Sequence, residues 1–247
     1  MASERGVPLF FRQEVILASP QILRVNQLFA AYQELHQRFR ETYPRDDVRP
    51  WTFQKIAQIL AYYRLSLEYS QGILSRTDNL AKILEPGKGI TVPADKAADI
   101  LKEYEQFITF SFFHVVFSSI EGSMRSLVAR IPVRDSRGKL CRGTSKFYDV
   151  YHGLIDVTGV DAEYRNLFEL LLLMRNCIHN RSLYFSDKGD KIVVCRGTAY
   201  NFIQGKPIEF ASIGLIFDFL MDVKEFFTAM YLSERMQREP HIADNIL

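Results

Sequence analysis

Apolar residues recur at steps of three and four along most of this chain, and this spacing constrains the fold more than any other feature. Three long segments share it, covering residues 19–43, 56–75 and 95–131. Ser19 and Pro20 open the first segment as an N-cap residue followed by proline at the first helical position. Side chains at these steps lie on one face of an α-helix, so the segments predict long amphipathic helices that pack together.

The second half of the chain alternates shorter helical segments with loops. A polar loop covers residues 132–146, a short helix is predicted from Phe147 to Val157, and Asp161 is predicted to cap the helix that follows. Residues 191–210 alternate apolar and polar side chains, which indicates a hairpin or three short strands. The last helix is predicted from Ser212 to Gln237. The sequence therefore predicts an all-α fold, a helical bundle with a small β-hairpin inserted before the last helix.

Composition bounds the class of protein without identifying a partner. Of the 247 residues, 47% are hydrophobic and 24% are charged, which is typical of a globular chain, and the net charge of +2 requires no polyanionic partner. The three cysteines form no CxxC pair, which favours a reducing cytoplasm. The N-terminus lacks a secretory signal, and the most apolar run, Phe107 to Ile120, is too short for a bilayer. We therefore expect a soluble cytoplasmic protein with no membrane partner.

Several motifs that would assign an activity are missing from the sequence. It contains no glycine-rich dinucleotide or phosphate loop, no HExxH zinc motif and no GxSxG nucleophile motif. This argues against nucleotide hydrolysis and zinc chemistry, and we expect neither a metal nor another cofactor. The adjacent acids Asp46 and Asp47 stand beside Arg45 and Arg49, and we interpret them as solvated charge rather than as acid/base machinery.

The segment LLLLMRNCIHN, Leu170 to Asn180, passes from apolar residues directly into arginine, histidine and two asparagines. Arg175 and His179 are four residues apart, so a helix places them on one face within reach of a shared anion. Histidine can transfer a proton near neutral pH, and the planar arginine fork holds phosphate oxygens, with no need for a metal. Asparagine and cationic side chains are also common at helix C-termini, and spacing alone favours that structural interpretation.

With the residues that follow it, LMRNCIHNRSLYF, this segment resembles the HEPN superfamily, and the resemblance covers roughly Ala94 to Gln237. It implies a helical bundle whose active members are metal-independent ribonucleases that dimerise and bring two Arg/His motifs into one cleft. Arg175 matches the motif arginine, Asn176 the polar residue that commonly follows it, and His179 the motif histidine. Three residues separate Arg175 from His179, whereas four to six are usual in the family. The resemblance therefore implies either a short-spaced variant or a lost catalytic geometry.

The resemblance also divides the chain and indicates partners. Residues 1–93 would form an N-terminal helical hairpin extension, and residues 94–247 an HEPN-like domain similar to uncharacterised bacterial relatives. RNA, a second copy of the chain, and a cognate antitoxin or regulatory partner are the implied partners, in a defence or toxin–antitoxin setting. Asn176 and Asn180 would support the site.

Two further residues on the central helix bear on this site. Glu121 would orient Arg175 or His179 if the two helices pack together. A surface ion pair between Glu121 and Arg125 is the alternative interpretation. His114 lies within the apolar run, and we interpret it as a core histidine.

A dense basic stretch precedes the predicted short helix. It could follow the phosphate backbone of RNA, because a single acid, Asp135, accompanies its cations. The cations are Arg130, Arg134, Arg137, Lys139, Arg142 and Lys146. A polar loop often carries such charge for solubility alone, and the two interpretations are equally supported. On the short helix, Tyr148, Tyr151 and His152 offer either a stacking surface for a base or ordinary packing residues.

Three functional hypotheses follow. In the first, the protein is a metal-independent endoribonuclease in which a ribose 2′-hydroxyl attacks the adjacent phosphorus, His179 transfers the proton and Arg175 stabilises phosphoryl charge. In the second, the same fold is a non-catalytic module that binds RNA, nucleotide or a partner protein. The third is a purely structural scaffold, which requires Arg175 and His179 to be buried and paired with backbone carbonyls.

Overall fold

A computed structural model describes residues 19–74 and 94–244, and these residues form seven α-helices and one two-stranded antiparallel hairpin. The helices are α1 Pro20–Arg40, α2 Val48–Tyr69, α3 Ala94–Val128, α4 Phe147–Thr158, α5 Tyr164–His179, α6 Ile213–Tyr231 and α7 Glu234–Gln237. A short π-helix, Ser70–Leu74, continues α2. The hairpin strands, β1 Lys191–Cys195 and β2 Thr198–Phe202, lie between α5 and α6. The predicted class, a mainly helical bundle with a small hairpin near its end, is confirmed.

Capping side chains explain where several helices begin. Ser19 Oγ accepts a hydrogen bond from Ile22 N at 3.4 Å, so α1 begins where the sequence predicted. The second helix begins earlier than predicted, at Val48, within residues 44–50, which the sequence indicated as a polar link. Asp47 is its N-cap, because Asp47 Oδ1 accepts from the Arg49 backbone N at 2.9 Å.

Two other helix boundaries correct the sequence prediction. Asp161 is not the N-cap of α5; its Oδ1 accepts from Glu163 N at 2.9 Å, in the turn that precedes the helix at Tyr164. The predicted last helix is interrupted between α6 and α7. Ser233 ends the first segment and begins the second, because Ser233 Oγ accepts from Met236 N at 3.4 Å.

A single cluster of buried side chains runs through all the long helices. Phe39 of α1 and Phe53 of α2 both contact Tyr231 of α6, with ring centroids 5.7 and 5.9 Å away. Farther along, Tyr63 of α2 stacks on Phe112 of α3 at 4.2 Å. The first two helices therefore pack into the same core as the rest. The division at residue 93 was based on the extent of the resemblance to the HEPN superfamily and not on packing, and it stays a prediction.

A buried ion pair joins the start of α2 to the C-terminal segment, which overturns the interpretation of Asp47 and Arg49 as solvated charge. Both side chains are fully buried, with Arg49 Nη2 2.6 Å from Asp47 Oδ2. Arg49 Nη1 donates to the backbone oxygens of Met236 and Glu239 at 3.0 Å, and Asp47 Oδ2 accepts from Ile242 N at 2.9 Å. Asp46 is exposed, as the sequence predicted.

The central helix α3 meets the length and composition of a membrane span. Within Lys96–Val128 an 18-residue window has a mean hydropathy of 1.2, but half of that window is buried inside the protein. Core helices of water-soluble proteins have the same properties, so this observation does not favour a membrane location.

Candidate active site

The helix that carries the Arg/His motif packs antiparallel against α3 at two successive turns. The Arg175 guanidinium carbon lies 5.7 Å from the ring centroid of Phe117. One turn farther along α5, the His179 ring meets the ring of His114, with centroids 5.0 Å apart and planes at 88°. The two helices thus place an arginine and two imidazoles side by side.

The Arg175 side chain is held by packing, and not all of its N–H groups are hydrogen bonded. Its side chain is half-buried, and its guanidinium lies over an aromatic ring, an arrangement that limits its motion. Nη1 donates to Asn176 Oδ1 at 3.3 Å, whereas Nε is buried and has no hydrogen-bond partner among the described residues. A buried donor without a partner costs about 1–3 kcal/mol, so Nε lowers the stability of this arrangement.

His179 is exposed, and its surroundings favour the neutral imidazole. Partial burial of the ring lowers the pKa of His179, and the positive charge of Arg175 and the neighbouring His114 lower it further. Neutral imidazole has a free nitrogen lone pair, which is the form that accepts a proton near pH 7.

His114 is not the core histidine that the sequence suggested. It is half-buried, on the exposed side of α3, and its ring contacts that of His179. The apolar neighbours of His114 on either side predicted that it would be buried, so its position beside His179 was not predicted. The feature of the sequence that could have indicated a functional role is the presence of an ionisable side chain within an apolar run.

Of the other predicted supporting residues, Asn176 contacts Arg175, whereas Asn180 and Glu121 have different roles. Asn176 and Asn180 are exposed, and Asn180 ends the helix by donating its backbone N to the Asn176 and Cys177 oxygens at 3.2 and 2.9 Å. Glu121 forms an ion pair with Arg125, whose Nη2 lies 2.5 Å from Glu121 Oε1. The predicted alternative, an ion pair, is therefore the arrangement observed for Glu121.

The Glu121–Arg125 pair anchors the end of the basic loop to α3. Arg125 Nη1 donates to the backbone oxygens of Gly143 and Ser145 at 2.6 and 2.7 Å. Just beyond, Phe147 packs against Phe117, the ring beneath Arg175, with centroids 5.4 Å apart. The loop therefore ends beside the Arg/His motif.

All six predicted RNA-binding cations are exposed, and none forms an ion pair with another residue in the described ranges. They are Arg130, Arg134, Arg137, Lys139, Arg142 and Lys146. Asp135 is the one acid among these cations, and its carboxylate is hydrogen bonded to the backbone. Its Oδ1 accepts from the N atoms of Arg137 and Lys139 at 2.9 and 2.8 Å. Gly138 makes this turn with φ at 76°, a value that favours glycine. The loop is therefore an ordered turn with uncompensated positive charge.

The loop also depends on a close approach to α4. Gly153 lies against Val133, and a Cβ at position 153 would come within 2.0 Å of Val133 Cγ1 and 3.0 Å of the Arg134 backbone oxygen. Gly153→Ala is expected to lower the free energy of unfolding, because overpacking costs about 1–3 kcal/mol and the helix-propensity gain offsets only about 1 kcal/mol. Urea denaturation of Gly153→Ala measures the effect. Val133→Ala in the same chain should recover part of the loss, and independent, additive effects would contradict the contact.

Of the three aromatic residues predicted on α4, two remain at the surface. Tyr148 is exposed and stacks on the half-buried His152, with centroids 4.0 Å apart. Tyr151 is buried against Phe168 of α5 and serves the core.

Backbone strain follows the motif immediately. Arg181 and Ser182 both have positive φ, 57° and 66°, a conformation that costs a non-glycine residue about 1–2 kcal/mol. Two backbone hydrogen bonds to residues 206–208 hold the strained turn, from Ile208 N to Ser182 O at 3.2 Å and from Tyr184 N to Lys206 O at 3.0 Å. The direction of the chain after His179 is therefore fixed. Nothing in the sequence pattern predicted this turn.

Comparisons with known proteins assign no family. No family model matches the chain, and searches of curated proteins and of solved structures found no match. Within the part of the chain that the structure describes, no group of three or more His, Cys, Asp or Glu side chains could hold a metal ion. The resemblance to the HEPN superfamily thus depends on the motif residues themselves.

Proposed function

We propose that this protein is a metal-independent endoribonuclease of HEPN type, with Arg175 and His179 at its active site. The observation that carries the proposal is their arrangement on one face of α5. The guanidinium is held over Phe117 with an unused donor, and the exposed imidazole beside it has a lowered pKa. A phosphodiester is an anion that such a guanidinium binds, and its neighbouring 2′-hydroxyl carries the proton that a neutral imidazole accepts.

In the proposed reaction, Arg175 binds a non-bridging phosphate oxygen and His179 takes the proton of the 2′-hydroxyl. The 2′-oxygen then attacks phosphorus, and Arg175 stabilises the negative charge that builds up on the phosphoryl oxygens. The products carry a 2′,3′-cyclic phosphate and a 5′-hydroxyl. The superfamily resemblance adds a homodimer, and a cognate antitoxin or regulatory partner, as further expectations.

The surroundings of the two side chains support this proposal over a purely structural role. A scaffold would require both to be buried and hydrogen bonded to backbone carbonyls. His179 is exposed, and within residues 19–74 and 94–244 neither side chain donates to a backbone oxygen.

The direct test is an assay of the purified protein on a panel of single-stranded and structured RNAs in EDTA. We expect cleavage that leaves 2′,3′-cyclic phosphate ends. They are detected because these 3′ ends resist 3′-end-labelling until the cyclic phosphate is removed. If no RNA in the panel is cut, although RNA binds, the non-catalytic binding module replaces the proposal.

RNA binding is expected to depend on the basic loop. Changing Arg134, Arg137 and Arg142 to Glu should weaken binding and flatten its salt dependence, because each phosphate contact to a single strand contributes about 0.7 to the slope of log K against log salt. The slope should fall by up to about 2 in a filter-binding titration. The matched control changes Arg38, Arg40 and Arg45 to Glu, three exposed arginines elsewhere with the same total charge change. Equal losses in the two triple variants would assign the effect to net charge instead of the loop.

A further inference from the structure

We propose that His114 is the second proton-transfer group of the active site, the general acid that protonates the leaving oxygen. The inference rests on the proposed ribonuclease function and adds to it a residue outside the Arg/His motif. It starts from the contact between His114 on α3 and His179 on α5.

The proposed reaction requires two proton transfers. One group must take the proton of the 2′-hydroxyl, and another must give a proton to the 5′-oxygen as the P–O5′ bond breaks. Arg175 cannot serve either transfer, because a guanidinium keeps its proton throughout the ordinary pH range. A motif with one arginine and one histidine therefore lacks one of the two groups.

A second imidazole lies in contact with the motif histidine. The ring centroids of His114 and His179 are 5.0 Å apart with the planes at 88°, so the edge of one ring meets the face of the other. His114 is half-buried, and His179 is exposed. The rings are neighbours without being hydrogen bonded to each other or to another described side chain, which leaves their nitrogen atoms for a ligand.

Charge assigns the two roles. Arg175 lies one turn from the contact between the two rings, and its positive charge disfavours the protonated form of the imidazole beside it. Burial, Arg175 and His114 all lower the pKa of His179, which makes His179 the neutral member. His114, the imidazole in contact with His179, is then assigned the acid role. No carboxylate acts on His179 among the causes of its pKa shift.

The step balances within one chain. Neutral His179 accepts the 2′-hydroxyl proton as the 2′-oxygen forms a bond to phosphorus. The P–O5′ bond breaks with its electron pair moving to the 5′-oxygen, which takes the proton of His114. Release of the products, loss of a proton from His179 to water and uptake of a proton from water by His114 restore the starting state. Both proton-transfer groups thus belong to the same chain, so a dimer is not needed to supply the second one.

An RNA with sulfur in place of the bridging 5′-oxygen tests the acid role. A thiolate leaves without being protonated, so loss of the general acid no longer slows the reaction. We expect His114→Ala to cleave ordinary RNA about 10²–10⁴-fold more slowly than wild type and to approach the wild-type rate on the 5′-thio substrate. His179→Ala should stay slow on both substrates. His241→Ala, which removes a surface histidine paired with Asp46, is the matched control and should retain wild-type rates.

Different results overturn the inference and the proposed function separately. Absence of cleavage by wild type in EDTA overturns the function itself. Wild-type cleavage with full activity in His114→Ala, or with equal losses on the oxygen and sulfur substrates, overturns the acid role alone. His114→Gln, which keeps a polar side chain of similar size, repeats the comparison in case the alanine variant unfolds. Recovery of activity on mixing His114→Ala with His179→Ala would place the two groups on different chains and so contradict a site within one chain.

Discussion

His179→Ala is expected to lower the rate of RNA cleavage by about 10²–10⁴-fold, the usual contribution of a general base, while leaving the fold intact. The side chain is exposed and bonds to no other described residue, so its removal should change the free energy of unfolding by less than about 0.5 kcal/mol. Single-turnover cleavage and urea denaturation of the same preparation measure the two quantities. A loss of stability in proportion to the loss of rate would identify the motif as a helix terminus instead.

Arg175→Ala should reduce cleavage to a similar extent, because the proposed charge-assisted contact to the phosphate is lost. Arg175→Lys distinguishes phosphate binding from packing. Lysine keeps the positive charge but lacks the planar fork and the Nε donor, so we expect it to recover only part of the activity. Full activity in the lysine variant would assign Arg175 a purely coulombic role.

Asp47→Ala is expected to lower the free energy of unfolding by about 3–5 kcal/mol, because it leaves Arg49 charged and buried without its counterion. The change also removes the N-cap of α2 and the acceptor for Ile242 N. Thermal and urea denaturation measure the loss. Limited proteolysis should cut near residues 236–244 first, because Arg49 and Asp47 hold that segment.

Asp46→Ala is the matched control, since it removes the neighbouring carboxylate from an exposed position. Its side chain contributes a surface contact to His241 at 3.3 Å, which is worth less than about 1 kcal/mol. A comparable loss of stability in the two alanine variants would contradict a special role for the buried pair.

The long helices were predictable because their signals are local. The three- and four-residue spacing gave α1 and α3 to within a few residues, and Ser19-Pro20 marked the start of α1. The burial of Asp47 and Arg49 was not predictable in this way. Their partners lie at Met236, Glu239 and Ile242, far away in sequence. Four charged residues within five positions give the same local pattern whether they are buried or exposed.

In the candidate site, too, contacts within one helix were predictable and contacts between elements were not. Arg175 and His179 could be paired from the sequence because they lie on one helix, one turn apart. His114 could not, because its proximity to His179 depends on which face of α3 meets α5. Glu121 was placed on the correct helix with the correct partner, but its connection through Arg125 to the loop oxygens of Gly143 and Ser145 is a tertiary contact.

One consequence of α3 concerns the length of RNA that the proposed active site and the basic loop would bind together. The helix carries His114 and Phe117 beneath the Arg/His motif, and Arg125 at the anchor of the basic loop. A rise of 1.5 Å per residue sets His114 and Arg125 about 16 Å apart along the helix axis. The helix therefore sets a fixed distance between His114, at the proposed active site, and Arg125, at the anchor of the basic loop. An oligonucleotide too short to cover that span would reach the histidines without the loop, and would be cut at the same bond with weaker binding.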